Sequence, residues 1–424
     1  MAKKEIQPRN IMDMVLAESD KRAKGDIYTA VQQTDRMVGI EHYSLALQWL
    51  IHSNIIPLQS ILTLAAPPKC FKTSALLEMI RVFIQAGGSG LLVNTEGKLS
   101  PTKISSIIRS DLDKLHLTAP GTTNEWVETV SNRLTIIHDV MENLYKANNT
   151  NSKAEGLDAY RGHFLSPVII GIDSLSGNQS ESMGGRVQAG EVGKTFNDRA
   201  MIITQFLNVW SSLLVGLPVT MLLINHEKQD MEGQRTTPGG VAPAFHTSLD
   251  IRVSRVGEDK LAKDGVPYTV TRLRWWVNFS SIGKDHRSLD LTYIDTYDEN
   301  ENQVCWFDWD SALVDLLKRL QTDENLQREH KNLKDIVTIE EYNCGNKGYH
   351  YSCPQIGIKN KEDALANGVN KARLGSMLQS DANMRKALQQ ALRIQVFNRW
   401  SPQFMFPCPK DLPAEYKPKP QGRR

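Results

Sequence analysis

Several stretches of this 424-residue chain carry side chains whose types and spacing suit a particular chemistry. The first is Ala66-Pro67-Pro68-Lys69-Cys70-Phe71-Lys72-Thr73-Ser74, where an apolar run breaks into a turn and then a helix-like segment. It has the order of the phosphate-cradling loop G-x-x-x-x-G-K-[ST], with Ala66 and Phe71 at the two glycine positions. That chemistry needs a strand, a tight turn and a helix start. Backbone N–H groups then converge on phosphate oxygens, Lys72 adds a cation, and the Thr73 hydroxyl suits Mg2+. Phe71 narrows the turns open to its position. On these residues alone, an ordinary strand-to-helix turn with a surface lysine is an equally good reading.

Three further segments each end an apolar run in polar groups. Val168-Ile169-Ile170-Gly171-Ile172-Asp173-Ser174 delivers a carboxylate where one is needed to hold a Mg2+ shell through water, although Asp before Ser is also common in plain turns. Gly90 to Asn94 delivers Thr95-Glu96-Gly97, and a carboxylate at such a strand end is placed to act as a general base on water. Standing alone, Glu96 reads better as a helix-capping or solvated acid. Val219 to Ile224 delivers Asn225-His226-Glu227-Lys228-Gln229, a polar cluster around the side chain type that titrates nearest neutral pH.

The elements that must position these groups alternate between strand-like and helix-length segments from Tyr43 to Tyr297, the pattern of a parallel sheet with crossover helices. Ile61 to Ala65, Gly90 to Asn94, Leu134 to His138, Val168 to Ile172 and Val219 to Asn225 are the expected central strands. A polar break at Asp298 to Gln303 marks the expected start of a smaller domain over residues 298–400. It comprises helical stretches from Ala312 to Lys334 and Asp363 to Arg399 around a glycine- and aromatic-rich patch, Tyr342 to Cys353. Residues 1–42 read as an N-terminal arm with a helical pattern from Ile11 to Lys24, and residues 401–424 as a basic, proline-rich tail.

Composition limits the classes open to the chain. A hydrophobic fraction of 40% supplies core for a globular protein, and no stretch approaches the ~18 consecutive apolar residues of a membrane span. Five cysteines over this length, with a polar, basic start, point to a reducing, cytoplasmic setting. The net charge of +2 neither demands nor forbids a polyanionic partner.

The family resemblance is completed by Thr236-Thr237-Pro238-Gly239-Gly240, which leads through Val241 to His246 into Asp250-Ile251-Arg252-Val253. Phosphate loop, Glu96, Asp173, Asn225-His226 and the glycine pair stand in the order and at the spacing of the RecA family of recombinases, which residues 10–300 resemble. The histidine after Asn225 and the Phe-Lys-Thr ending of the loop look most like the phage UvsX-type branch.

The resemblance implies an α/β fold: a RecA-like P-loop ATPase core with a mostly parallel sheet over residues 43–297, a short N-terminal helical arm for protomer docking, and a smaller α+β C-terminal domain. It implies ATP held by Ala66 to Ser74, Mg2+ held by Thr73 and Asp173, water activated by Glu96, and His226 sensing the γ-phosphate. It further implies helical filaments on single-stranded DNA, double-stranded DNA as the second partner in exchange, and single-strand binding and mediator proteins as accessories, with no membrane. Two loops, Ser176 to Ala200 and Glu227 to Gly240, match the family's DNA-facing loops. They make Arg186, Lys194, Arg199, Lys228, Arg235, Gly239 and Gly240 the candidate DNA contacts.

The chain also departs from the family. The first loop balances Arg186, Lys194 and Arg199 against Glu181, Glu191 and Asp198, and the second holds Lys228 and Arg235 against Glu227, Asp230 and Glu232. Where cellular members place lysines that reach a neighbouring protomer's nucleotide, this chain has Ala244, Val277 and Phe279, leaving Arg272, Arg274 and Lys284 as substitutes. Trp275 and Trp276 read as one core and one interface residue, or as base-stacking groups. Cys344, His350 and Cys353 invite a zinc reading, with Cys408 as a fourth ligand, but their spacing favours a glycine-rich hairpin. A ring helicase on the same core and an ATPase-deficient filament or mediator protein are the rival functions.

Overall fold

The computed structural model describes residues 38–109, 111–148, 166–177, 197–215, 217–229, 235–236, 242–263, 266–298 and 300–399. The expected N-terminal arm and the basic tail lie outside the described residues. Chain contacts divide the protein into residues 1–37 and residues 38–424.

The second unit is centred on a nine-stranded sheet. In chain order the strands are β1 (Ser60–Ala66), β2 (Ser89–Asn94), β3 (Leu115–Thr118), β4 (Val168–Asp173), β5 (Val219–His226), β6 (Leu249–Lys263), β7 (Val266–Ser280), β8 (Ser288–Tyr297) and β9 (Gln303–Phe307). Across the sheet they run β3-β2-β4-β5-β1-β6-β7-β8-β9. The pairs from β3 to β6 are parallel, and β6 to β9 form an antiparallel meander. The sheet is therefore mostly parallel.

Helices cover both faces, which is why the central strands read as nearly continuous apolar runs. On one face Ile61, Val93, Ile170, Ile172, Met221 and Leu223 pack with Trp126, Val130 and Leu134 of helix α3 (Thr123–Asn148) and Phe206 and Trp210 of helix α4 (Asn197–Leu213). On the other, Leu62, Leu64 and Leu222 share an apolar pocket with Ala75 and Met79 of helix α1 (Lys72–Gln85) and with Leu47 and Ile51. Helix α2 (Pro101–Ile108) starts at a Ser100 cap, whose side chain accepts from the Lys103 N–H at 3.2 Å. Close seating of α1 needs glycine beneath it: a Cβ on Gly171 or Gly90 would meet Leu76 or Ile80 at 2.5 Å.

One expected strand is corrected. Leu134 to His138 lies inside α3. Trp126, Val130 and Leu134 recur every fourth residue and are buried, whereas Ile136, which a strand would place on the same face as Leu134, is 51% exposed. The edge strand of this half of the sheet is instead the short Leu115–Thr118.

The polar segment after Tyr297 is a tight turn rather than the end of the sheet. Asp298 Oδ1 accepts from the N–H groups of Asn300 and Asn302 at 2.8 Å each, and the chain returns as β9. Helix α5 (Trp309–Thr322) comes next, and the remaining helical regions are short segments broken at Asp323, Gly368 and Asp381. Tyr342 to Cys353 forms the expected hairpin, Glu340–Asn343 against Tyr349–Ser352. The C-terminal segment then returns to residues 38–58: Asn398–Arg399 pairs in parallel with Val38–Gly39, Arg385 donates to the Tyr43 carbonyl at 2.6 Å, and Gln379 Oε1 accepts from the Leu45 N–H at 2.7 Å. No helix among the described residues is long and apolar enough to cross a membrane.

Candidate active site

Parallel pairing fixes which strand ends meet. Ala66 stands opposite His226 across β1 and β5, and Asn94 stands opposite Asp173 across β2 and β4. Four consecutive parallel strands thus release their polar residues at one edge of the sheet, the carboxyl edge where open α/β sheets form their crevices.

The turn out of β1 ends at Phe71, whose backbone is left-handed (φ 57°, ψ 30°), and α1 begins at Lys72 with no side-chain cap on its first N–H groups. An uncapped helix start leaves backbone donors and the positive end of the helix dipole free for an anion. The Lys72 side chain curls back over the turn, with Nζ donating to the carbonyls of Ala66 and Pro67 at 2.9 Å each. Burial pulls its ammonium below the ordinary lysine value, opposed by the charges of Cys70, Asp173, Glu96 and Glu227. Cys70 is buried within the turn, and burial pushes its thiol up.

Thr73, on the first turn of α1, donates its hydroxyl to Asp173 Oδ2 at 2.5 Å. Asp173 is 7% exposed, and burial pushes its carboxyl up against the pull of that hydrogen bond. The Asp173–Ser174 peptide is cis. Beside it, Thr95 and Ser174 lock β2 to β4: the Ser174 N–H donates to Thr95 Oγ1, and Thr95 Oγ1 donates to the Ser174 carbonyl, both at 2.7 Å.

Glu96 follows Thr95 and meets two donors. His226 Nε2 lies 2.6 Å from Glu96 Oε1, and the Ser174 hydroxyl donates to the same oxygen at 3.0 Å. Lys98 Nζ is 3.9 Å from the other carboxylate oxygen. Burial alone would raise the Glu96 carboxyl, but hydrogen bonds from His226 and Ser174 and the charges of His226 and Lys98 outweigh it, so the group sits below its ordinary value. The Asn225 side chain accepts the His226 N–H at 3.0 Å and so holds the end of β5. Behind this edge, Arg252 bridges Glu227 at 2.7 Å and Asp250 at 2.9 Å, and Asp250 also accepts from the Thr63 hydroxyl.

Lys72, Thr73, Asp173, Glu96 and His226 therefore lie together at this edge of the sheet. Of the expected DNA-facing residues, Arg186, Lys194, Gly239 and Gly240 lie outside the described residues, as do the side chains of Lys228 and Arg235. Arg199 is described, and its Nη1 donates to the Ser176 carbonyl at 3.2 Å. Among the proposed substitutes for interface lysines, Arg272 pairs with Asp259, Arg274 with Asp290 and Lys284 with Glu329. Trp275 is a core residue, edge-on to Phe307 and Trp309. Among the described residues no cluster of three or more His, Cys, Asp or Glu side chains is arranged to hold a metal.

Sequence reasoning missed Thr95, Ser174 and Tyr293. The first two flank Glu96 and Asp173 directly, so adjacency was the available signal. Tyr293 lies on β8, distant in sequence, and stacks on Phe71 with ring centroids 4.0 Å apart. Compared with models of known protein families and with curated proteins, the sequence matches none.

Proposed function

We propose that the chain is an ATP-dependent DNA recombinase of the RecA type, which assembles as a helical filament on single-stranded DNA and exchanges strands with a homologous duplex. The observation that carries this reading is the convergence of Lys72, Thr73, Asp173, Glu96 and His226 at one sheet edge, with Thr73 to Asp173 at 2.5 Å and His226 to Glu96 at 2.6 Å.

The donor set fits a nucleoside triphosphate with Mg2+. The uncapped start of α1 and the Lys72 ammonium suit phosphate oxygens, and a threonine hydroxyl beside a buried carboxylate supplies the hard oxygen ligands that Mg2+ takes. Mg2+ would neutralise charge on the phosphates. Lys72 would exchange its two loop carbonyls for phosphate. Glu96, kept ionised by its donors, would orient and deprotonate water. His226, already in contact with Glu96 and leading directly into Glu227 to Gly240, would couple the state of the site to the second DNA-facing loop.

Negative-stain microscopy of the full chain with single-stranded DNA, with and without a non-hydrolysable ATP analogue, tests the reading. Helical filaments that require the nucleotide, together with hydrolysis stimulated by single-stranded DNA, are expected. Closed rings that unwind a fork would point to a helicase instead, and assembly without ATP binding to a mediator protein.

A further inference from the structure

A left-handed backbone at the residue before a phosphate-binding lysine is a glycine conformation, because a Cβ crowds the following carbonyl there. This chain places phenylalanine at that position, with φ 57° at Phe71 and, earlier in the same turn, φ 62° at Lys69. Something outside the turn has to hold the strained form in place. Tyr293 does so from both sides of the Lys72-Thr73 pair. Its ring stacks on Phe71 at 4.0 Å and 29°, and its hydroxyl lies 3.2 Å from Ser74 Oγ.

Tyr293 is itself rigidly seated. It is 1% exposed, pairs across the sheet with Phe307 in β9 and Thr271 in β7, and meets the Phe307 ring at 4.9 Å. The loop is thus anchored to the antiparallel half of the sheet, whereas Asp173, Glu96 and His226 all leave the parallel half.

We propose that Tyr293 is a positioning residue for the nucleotide site: it clamps Phe71 and Ser74 so that the turn holds the start of α1 in place without its glycine. The proposal rests on the ATP-binding reading above. A stack substitutes here for backbone freedom, so removing the stack matters only while a side chain with a Cβ occupies position 71.

That condition supplies the test. Phe71→Ala keeps the Cβ and loses the stack, and it is expected to bind a fluorescent ATP analogue roughly tenfold more weakly than wild type. Phe71→Gly, which removes the Cβ that the left-handed turn crowds, is expected to lose several-fold less affinity than Phe71→Ala. Tyr293→Leu is expected to behave as Phe71→Ala does, and adding Phe71→Gly to it should restore binding. Tyr293→Phe, which keeps the ring, should lose the least. A loss of general stability at the Tyr293 site would not be repaired by a glycine in the loop.

Alkylation of Cys70, followed by mass spectrometry, reads the order of the turn without any nucleotide, because Cys70 is 3% exposed only while the turn is formed. It should quicken roughly tenfold in Phe71→Ala and in Tyr293→Leu, and return to the wild-type rate in Tyr293→Leu/Phe71→Gly. Wild-type alkylation and binding in Phe71→Ala, or a double variant as impaired as Tyr293→Leu, would overturn the clamp. If the wild-type chain binds no ATP analogue, the ATPase reading fails, and the alkylation rates alone decide the clamp.

Discussion

Glu96 Oε1 and His226 Nε2 lie 2.6 Å apart although their strands, β2 and β5, are separated by β4. The pair spans the edge at which Asp173 emerges, so the acid is held in place and ionised before any ligand arrives. Glu96→Gln keeps the shape and removes the base. Hydrolysis of ATP should fall by about 10²-fold or more while nucleotide binding and DNA-dependent assembly persist, measured by phosphate release and by analogue binding. Unchanged turnover would remove Glu96 from the mechanism.

The same variant has a pH signature. The Glu96 carboxyl lies below its ordinary value of 4.5 in the folded chain. A lowered carboxyl adds stability that is complete above its unfolded value and disappears as pH falls through the folded one. The advantage of wild type over Glu96→Gln in thermal midpoint should therefore hold near neutrality and shrink below about pH 4.5. An advantage that grows on acidification would contradict the lowered Glu96 carboxyl.

Lys72→Met separates function from stability. The ammonium is buried against carbonyl oxygens and disfavoured there, and the Ala66 carbonyl retains the Glu227 N–H at 3.0 Å once the lysine is gone. Methionine keeps most of the stem packing. Unfolding free energy should change by about 1 kcal/mol or less, while affinity for the triphosphate falls by about 10²-fold, read by urea titration and equilibrium binding. A loss of stability without a loss of affinity would make Lys72 a structural residue.

The sheet was legible where local and tertiary signals agreed. The runs around Ile61, Leu92, Ile170 and Leu222 are apolar on both faces because helices cover both, and the last three end in polar groups at one edge of the sheet. Leu134 to His138 misled because its run is too short to show helical period; the every-fourth-residue spacing through Trp126 and Val130 resolves it. Asp298 looked like a boundary since polar, turn-forming residues punctuate hairpins and domain junctions alike. Asp173, Glu96 and His226 could be picked out from strand ends, and Lys72 and Thr73 from the loop-to-helix pattern after β1. What strand ends do not carry is cross-sheet geometry, so Tyr293 under Phe71, and the return of Arg385 and Gln379 to residues 43–45, had no local signal.

The seat of α1 can be tested directly. A methyl group on Gly171 would lie 2.5 Å from Leu76 Cδ1 and 2.9 Å from Leu76 Cδ2. Gly171→Ala should destabilise the chain by about 1–3 kcal/mol through overpacking, and a second change, Leu76→Val, should recover part of it. Because α1 carries Lys72 and Thr73, nucleotide affinity should fall and recover in step. Additive losses in the double variant would mean that the two sites do not touch.

Asp310 gives the opposite pH dependence from Glu96. It sits in the first turn of α5, accepts from Gln379 Nε2 at 2.5 Å, and lies under the helix Lys371–Ser380, where a Cβ on Gly375 would run into the Asp310 carbonyl oxygen. Burial, with the Asp308 charge added, pushes its carboxyl up from 3.8 to about 7. A raised carboxyl contributes fully below its unfolded value, and that contribution is lost as pH rises through the folded value. The chain should thus lose stability between about pH 4 and pH 7 on account of this one group, with no further loss above that. Asp310→Asn keeps an acceptor for Gln379 and removes the ionisation. Its stability relative to wild type should rise across the same window and level off near pH 8 at a gain on the order of a few kcal/mol, as measured by urea unfolding across a pH series. A difference independent of pH would mean that Asp310 ionises freely at the α5 junction.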